Sequence, residues 1–339
     1  MTLSVPQQGD TFLPNFRRGD MVYLYPYREG EEPDVRRSIL YKACVTELHT
    51  TEITLALVNP QGNPAILPVQ GDGDGLFYAV EHADGGASAG SSARALHEFV
   101  TAPPARKDLL LARRAPEKDA SADLSRPYNE AYDDVLLRVR QANDYFLLVG
   151  PPGTGKTSMA IRFIVEEELT RPGASVLLTA YTNRAVDELC AMLDDAGIDY
   201  IRISSEYSAS SQSKSHLLSE TVKTCHDLRS MRERIMSVPV ITGTTSMLAA
   251  RPYIFDLKAF TLAVVDEASQ ILEPDIVGLL AAHRPGGDGK EVCRIRKFVL
   301  TGDHKQLPAV VQQDETLSAV ACESLSGICL DNCRGSLFE

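Results

Sequence analysis

Two textures of hydrophobic and polar positions divide the chain. From Phe16 to about Tyr78, short runs rich in β-branched and aromatic residues ("DMVYLYPY", "SILYKACVTEL", "EITLALV", "AILPV") alternate with turn-forming stretches ("REGEEPD", "NPQGNP", "GDGDG"). Short apolar runs punctuated by Gly, Pro, Asp and Asn predict a small antiparallel β-barrel. The Gly-Asp repeat at Gly71–Gly75 suits tight turns and lacks the downstream oxygen ligands of a calcium loop. The run "ADGGASAGSSA" (Ala83–Ala93) is too poor in large apolar side chains to supply a core and reads as a flexible loop.

From about Ala105 the period changes. "RKDLLLARR" and "YNEAYDDVLLRVRQA" are helix-like, and apolar strands then alternate with helices. The strands are expected at Tyr145–Val149, Ser175–Tyr181, Val238–Thr242, Thr261–Val265 and Lys297–Thr301. Such alternation requires right-handed crossovers, hence an α/β fold with a mostly parallel sheet covered by helices on both faces. In sheets of that kind ligands bind where strands end.

Composition narrows the class. The chain has 339 residues, 44% hydrophobic and 24% charged, which suits a globular protein large enough for two packed units. No apolar run is long enough for a membrane span, and "MTLSVPQQGDTFLPNF" lacks the regions of a signal peptide, so a cytoplasmic protein without a membrane partner is expected. The net charge of −12 argues against a general basic footprint for nucleic acid, so any such contact is local. Seven scattered cysteines fit reduced thiols, and Cys322, Cys329 and Cys333 lack the paired spacing and fourth ligand of a metal site.

The candidate chemistry begins in "YFLLVGPPGTGKTSMAIRFIVEEEL", where a strand joins a helix through Gly150, Pro151, Pro152, Gly153, Thr154, Gly155, Lys156, Thr157 and Ser158. Glycines at this spacing let backbone N–H groups and a helix N-terminus face a phosphate. Lys156 adds charge near the β/γ oxygens and the Thr157 hydroxyl reaches Mg²⁺, so ATP or GTP with Mg²⁺ is expected. Ile161, Ile164, Val165 and Leu169 then share one helical face, and Arg171-Pro172-Gly173 ends the helix.

A second strand ends on Asp266 and Glu267 in "AVVDEASQ" and should arrive beside the phosphate loop. Asp266 would hold Mg²⁺ and Glu267 would orient or deprotonate the attacking water. Gln270 falls near the entrance of the next helix, expected after Pro274. Gln306, in "LTGDHKQLP", is placed to hydrogen-bond the γ-phosphate in one nucleotide state and release it in another.

Taken in order, "GPPGTGKT", "AYTNRAVDEL", "VITGTTS", "VVDEASQ" and "LTGDHKQLP" resemble motifs I, Ia, Ic, II and III of superfamily 1 helicases. The likeness is to the 5′-to-3′ branch containing the nonsense-mediated-decay helicase and the replication helicase-nuclease, over about Tyr128–Val311. It implies an accessory barrel over residues 1–95 and a first RecA-like lobe over 96–339, with a helical insertion near 204–236. Lys156 and Thr157 would bind phosphate and Mg²⁺, Asp266 and Glu267 would serve hydrolysis, and Gln306 would sense the γ-phosphate.

The same resemblance places Thr182, Asn183, Thr244 and Thr245 on the backbone of single-stranded DNA or RNA, DNA favoured. For Thr182 and Asn183 the local pattern agrees, because they open a helix with a buried stripe of Val186, Leu189, Cys190 and Leu193. At the adenine-reading segment the chain has Asn129, but Tyr132 stands where the family has glutamine. Tyrosine stacks on a base without the paired amide contacts that read adenine.

The resemblance further implies a second RecA-like lobe, so the chain is expected to be a piece of a longer, monomeric helicase and weakly active alone. The insertion segment Ser210–Ile235 holds five Lys/Arg against three acids and is either a solvated helical face or an aid in holding a strand. An ATP-gated interaction module without unwinding is the alternative function.

Overall fold

A computed structural model of the protein describes residues 1–5, 15–58, 75–83, 86–151, 155–287 and 289–303, the side chains of 86–92, Lys156 and Pro274 apart. The chain divides into two compact units, Met1–Ser88 and Ala89–Glu339.

The first unit holds strands β1 (Thr2–Ser4), β2 (Met21–Arg28), β3 (Tyr41–Leu48), β4 (Glu52–Leu57) and β5 (Leu76–His82). They pair antiparallel in the order β1-β4-β3-β2-β5. Alternate residues Val22 and Leu24, Ala43 and Val45, Ile53 and Leu55 point to one face and form its core, as a half-buried antiparallel sheet requires. They form a separate antiparallel sheet, and among the described residues no pairing joins β1 to β5. The expected strand "AILPV" (Ala65–Val69) and residues 71–74 of the Gly-Asp turn lie outside the described residues.

The run expected as a loop is helical: α1 spans Gly86–Thr101. Alanine and serine cost little in a helix, and the second unit supplies the packing that composition does not show. A Cβ built on Gly278 would meet Ala95 Cα at 2.3 Å, so α1 lies against the backbone at that glycine.

The second unit continues with α2 (Pro104–Leu110), α3 (Asp133–Gln141), β6 (Tyr145–Val149), a π-helical turn (Lys156–Ile161), α4 (Arg162–Leu169), β7 (Val176–Ala180), α5 (Asn183–Asp195) and β8 (Tyr200–Ile203). After these come α6 (Leu218–Thr224), α7 (Leu228–Ser237), β9 (Val240–Thr244), α8 (Thr245–Ala249), α9 (Tyr253–Leu257), β10 (Phe260–Asp266) and α10 (Glu273–Leu280). A hairpin of β11 (His283–Pro285) and β12 (Glu291–Cys293) precedes β13 (Ile295–Gly302).

Six strands form one parallel sheet in the order β6-β13-β10-β7-β9-β8. Its strand residues divide between two cores. Leu262, Val264, Val299, Val176 and Leu178 pack with Ile161, Ile164 and Val165 behind the phosphate loop and with Val186, Leu189 and Leu193 of α5. Ala263, Val265, Phe298, Leu300, Leu177 and Ile241 face the opposite core with Leu248, Ile276 and Leu280. Burial on both faces is the RecA-like, doubly covered arrangement that continuous apolar strands predict. The helical stripes of the phosphate-loop helix and of α5 are buried as expected, with Leu169 partly buried at the margin.

Strands β1, β5 and β8, the hairpin and the short helices α8 and α9 went unforeseen. In β8 the apolar run "YIRI" is interrupted by Arg202, which is fully buried. Its guanidinium donates to Asp187 of α5 and, at 2.6 Å, to Ser213 Oγ. Ser213 lies in the 3₁₀ turn Gln212–His216, which with α6 and α7 occupies the segment expected as a helical insertion.

Two buried lysines mark where charge was accepted. Lys258 donates to the carbonyls of Met236 at 2.7 Å and Val238 at 2.6 Å, closing the end of α7, and burial pushes its ammonium down to about 8. Lys297, 4% exposed in β13, donates to Val139 O at 3.0 Å and is likewise pushed down by burial to about 8, from 10.5.

Below about pH 8 Lys297 is charged in both folded and unfolded chains, and the folded state carries the full cost of burying it. Between about 8 and 10.5 the folded chain gives up this proton while the unfolded chain keeps it, so stability rises with pH across that window. In Lys297→Met this residue's share of the rise is absent, while that of Lys258 remains. Urea titrations at pH 7 and pH 10 should show the variant's advantage shrinking at the higher pH, by up to about 3 kcal/mol.

Candidate active site

The site is a row of strand ends. Register pairs Val149 with Gly302, Asp266 with Ala180, and Ala180 with Thr244, so β6, β13, β10, β7 and β9 terminate side by side. Strand β13 lies between β6 and β10, so the acid-pair strand is one strand removed from the strand that feeds the phosphate loop. The carboxylate nevertheless reaches the loop's helix.

At the loop's entrance Gly150 N–H donates to Gly302 O at 3.2 Å. At its exit Gly155 has φ 72°, a left-handed conformation suited to glycine. A Cβ there would also meet the Tyr132 hydroxyl at 2.6 Å. Gly155 O accepts from Met159 N–H at 2.9 Å and Ala160 N–H at 3.1 Å, which starts the helix behind the loop. Pro151 and Ser158 are exposed, and Pro152, Gly153 and Thr154 lie outside the described residues.

Asp266 is 4% exposed and held from three sides. Thr157 Oγ1 donates to Oδ2 at 2.8 Å, Thr301 Oγ1 donates to Oδ1 at 2.5 Å, and Glu267 N–H donates to Oδ1 at 3.0 Å. A buried carboxylate needs such donors, because without them its desolvation is prohibitive. The Thr157 hydroxyl and the Asp266 carboxylate are hard oxygen donors, the chemistry that fits Mg²⁺.

Glu267 has φ 52° and ψ 36°, a left-handed backbone at a non-glycine residue, at the start of the 3₁₀ turn Ala268–Gln270. Outliers of this kind cost about 1–3 kcal/mol and cluster at functional sites. Gln270 lies in that turn, with α10 beginning at Glu273. The turn presses on β13, where a Cβ at Gly302 would lie 3.2 Å from both Ser269 N and Ser269 Oγ. Gln306 lies outside the described residues.

On the other side of the loop, Asn129 Oδ1 accepts from Ala131 N–H at 2.9 Å, and Asp133 Oδ1 accepts from the N–H groups of Tyr128 and Asn129 at 2.9 Å each. This turn docks on α4: the rings of Tyr128 and Tyr132 pack on Phe163 at 5.5 and 6.0 Å, and Glu167 accepts from the hydroxyls of Ser125 at 2.5 Å and Tyr128 at 3.0 Å. Sequence reasoning missed Phe163, Glu167 and Thr301. Phe163 and Glu167, four apart on a helix after the loop, were a readable signal, whereas Thr301 gave none.

The expected nucleic-acid residues occupy helix starts. Thr182 caps α5 by accepting from Ala185 N–H at 3.1 Å, with Asn183 exposed beside it. Thr244 caps α8 by accepting from Met247 N–H at 3.2 Å. Thr245 departs from expectation: its side chain is fully enclosed and offers no surface to a strand, because it is the first residue of α8 and turns into the fold.

A phosphate loop closed by a left-handed glycine, with its helix hydroxyl bonded to a buried strand-end aspartate in a doubly covered parallel sheet, defines a P-loop protein with a RecA-like lobe. A family model described as an AAA domain matches residues 136–312, more than half of the chain, and the chain belongs to that family. It is helicase-like, of the superfamily 1 kind. It is 33% identical over 210 residues to the "DNA replication ATP-dependent helicase/nuclease DNA2" of Mus musculus, a match covering 61% of this chain and 18% of that protein. It is 29% identical over 329 residues to the protein of the same name in Bos taurus, covering 92% of this chain and 28% of that one. The chain thus spans less than a third of the length of these relatives. Among solved structures, arterivirus nonstructural protein 10 (helicase) with DNA aligns at 18% identity and a TM-score of 0.32, covering 56% of this chain and 33% of that one.

The left-handed backbone at Glu267 reverses an ordinary preference. Glu267→Gly should be more stable than Glu267→Ala by roughly 1–2 kcal/mol, because only glycine adopts this region without steric cost. Thermal unfolding of the two variants checks it; an alanine variant as stable as the glycine one would show that Glu267 is not held in this conformation.

Proposed function

We propose that this lobe belongs to an ATP-dependent helicase or translocase that couples ATP hydrolysis to movement along single-stranded nucleic acid. The Thr157–Asp266 hydrogen bond carries the reading, because it joins a complete phosphate-loop sequence to a strand-end acid pair. DNA is favoured over RNA because the relatives are named as DNA replication helicase/nucleases.

In this reading the N–H groups from Gly150 to Lys156 hold the phosphates, and the Lys156 ammonium neutralises the β/γ oxygens. Thr157 donates a hydrogen bond from its hydroxyl to Asp266, which leaves the oxygen's lone pairs free to face Mg²⁺. When bound, Mg²⁺ would be held by Thr157 and Asp266 and would supply charge neutralisation at the phosphate oxygens. Glu267 orients water and takes its proton. Gln306, three residues after Asp303 in sequence, reports the γ-phosphate to the rest of the machine.

Tyr132, packed over Gly155 and against Phe163, presents an aromatic surface toward the nucleotide and supports ATP binding with relaxed base selectivity. The helix starts at Thr182–Asn183 and Thr244 hold the strand by its backbone. Hydrolysis is completed by an arginine from a second RecA-like lobe, the kind of group typically worth about 10³–10⁵ in rate.

Calorimetry and steady-state assays test the nucleotide part. Lys156→Ala should lose most ATP affinity, since a charge-assisted contact contributes roughly 1.5–3 kcal/mol. In a full-length chain that includes the second lobe, Glu267→Gln should keep ATP binding and lose turnover by on the order of 10² or more. Equal affinities in the first case, or unchanged turnover in the second, would remove the residue from its role.

The nucleic-acid part predicts a salt dependence. With a net charge of −12, only a few phosphates are neutralised, so fluorescence anisotropy with single-stranded DNA should give a shallow negative slope of log affinity against log salt. Binding indifferent to salt would point to a protein partner instead.

A further inference from the structure

We propose that Thr301 is a positioning residue for the metal carboxylate: its hydroxyl fixes the rotation of Asp266 so that Oδ2 stays turned to Thr157. The inference rests on the nucleotide-binding reading above and adds to it a residue outside the phosphate loop and the acid pair.

"IRKFVLTG" is apolar from Phe298 to Leu300, and Thr301 breaks that run at a fully buried position. In a parallel sheet Val fills the same space without a hydroxyl to satisfy, so a buried Thr needs a reason. Thr179 of β7 and Thr242 of β9 are as deeply buried, and among the described residues their hydroxyls have no partner. Thr301 differs, because its hydroxyl donates to Asp266 Oδ1 at 2.5 Å.

Strand alternation places it correctly. Val299 packs in the core that holds Ile161, Ile164 and Val165, as do Leu262 and Val264 of β10. Thr301 and Asp266, two residues beyond Val299 and Val264, therefore face the same side, which carries the phosphate-loop helix. Register completes the placement, because Val265 is paired with Leu300 and the next residues along each strand are Asp266 and Thr301.

A carboxylate anchored only through Oδ2 could turn about its χ2 bond, a soft torsion. With Thr301 and Glu267 N–H both on Oδ1, that oxygen is committed and Oδ2 remains with Thr157. Thr301 is β-branched, so its own hydroxyl is stiffly held. The next residue, Gly302, accepts from Gly150 N–H and carries Ser269 against it. One dipeptide thus touches the metal carboxylate, the loop entrance and the acid-pair turn.

The test uses Thr301→Val, which keeps shape and removes the hydroxyl, beside Thr301→Ser, which restores it. ATP binding is measured by calorimetry in EDTA and across a MgCl₂ titration. The Mg²⁺ concentration for half-maximal enhancement of ATP binding should rise about 10- to 100-fold in Thr301→Val, the range that losing an outer hydrogen-bond partner costs a metal site. Affinity in EDTA should stay within about twofold of the parent, and Thr301→Ser should recover most of the Mg²⁺ response. A purely structural role would lower affinity equally with and without Mg²⁺, and that result overturns the proposal. So does an unchanged Mg²⁺ requirement in a Thr301→Val chain that binds ATP normally. If Thr301→Val fails to fold, Thr301→Ala with the same titration decides the point. A parent chain that binds no ATP under any condition sinks the nucleotide reading itself, whereas a parent with a normal Mg²⁺ response and an indifferent Thr301→Val sinks this inference alone.

Discussion

The structure of the site depends on one buried carboxylate. Asp266 sits at the end of the third strand of the sheet, 4% exposed, where an ionised acid without donors could not remain. Its donors come from three places far apart in sequence: Thr157 behind the phosphate loop, Thr301 on β13, and the backbone of Glu267. Satisfying that one group therefore fixes the loop helix, the acid-pair turn and the end of β13 relative to one another. The same contacts that make the acid tolerable in the fold place a hydroxyl and a carboxylate where hard cations bind.

Close backbone approaches serve the same end. Gly155 is left-handed beneath the Tyr132 hydroxyl, and Gly302 leaves room for Ser269. Each glycine lets a neighbouring segment come nearer than a side chain would allow. Glu267 lacks that freedom and is held left-handed regardless, a local strain that the surrounding sheet and turn sustain. Strain at the residue expected to handle water is consistent with a site organised for geometry ahead of stability.

Away from the site, Lys258, Lys297 and Arg202 are among the basic side chains the lobe buries. Lys258 satisfies carbonyls at the end of α7, Lys297 meets Val139 O, and Arg202 joins α5 to the 3₁₀ turn after β8. The two lysines are held below their ordinary range by desolvation. The arginine ties α5 to the 3₁₀ turn Gln212–His216.

By itself the sequence determined what depends on neighbours along the chain. Apolar runs and helical stripes located β6, β7, β10 and β13, the phosphate-loop helix and α5, because strand and helix periods are local properties. It also named Lys156, Thr157, Asp266 and Glu267, since phosphate loops and strand-end acids follow from spacing. What only the tertiary structure decided concerns partners brought together through space. The interposed β13, the Thr301 bond to Asp266, and the short strand around buried Arg202 depend on residues far away in the chain, and each contradicts or escapes its local pattern. The small-residue run that became α1 shows the same limit: its composition lacks a core, and the surface that makes it a helix, at Gly278, lies far along the chain. A buried polar group is legible in a sequence, but its donors are settled only when the strands are placed in order.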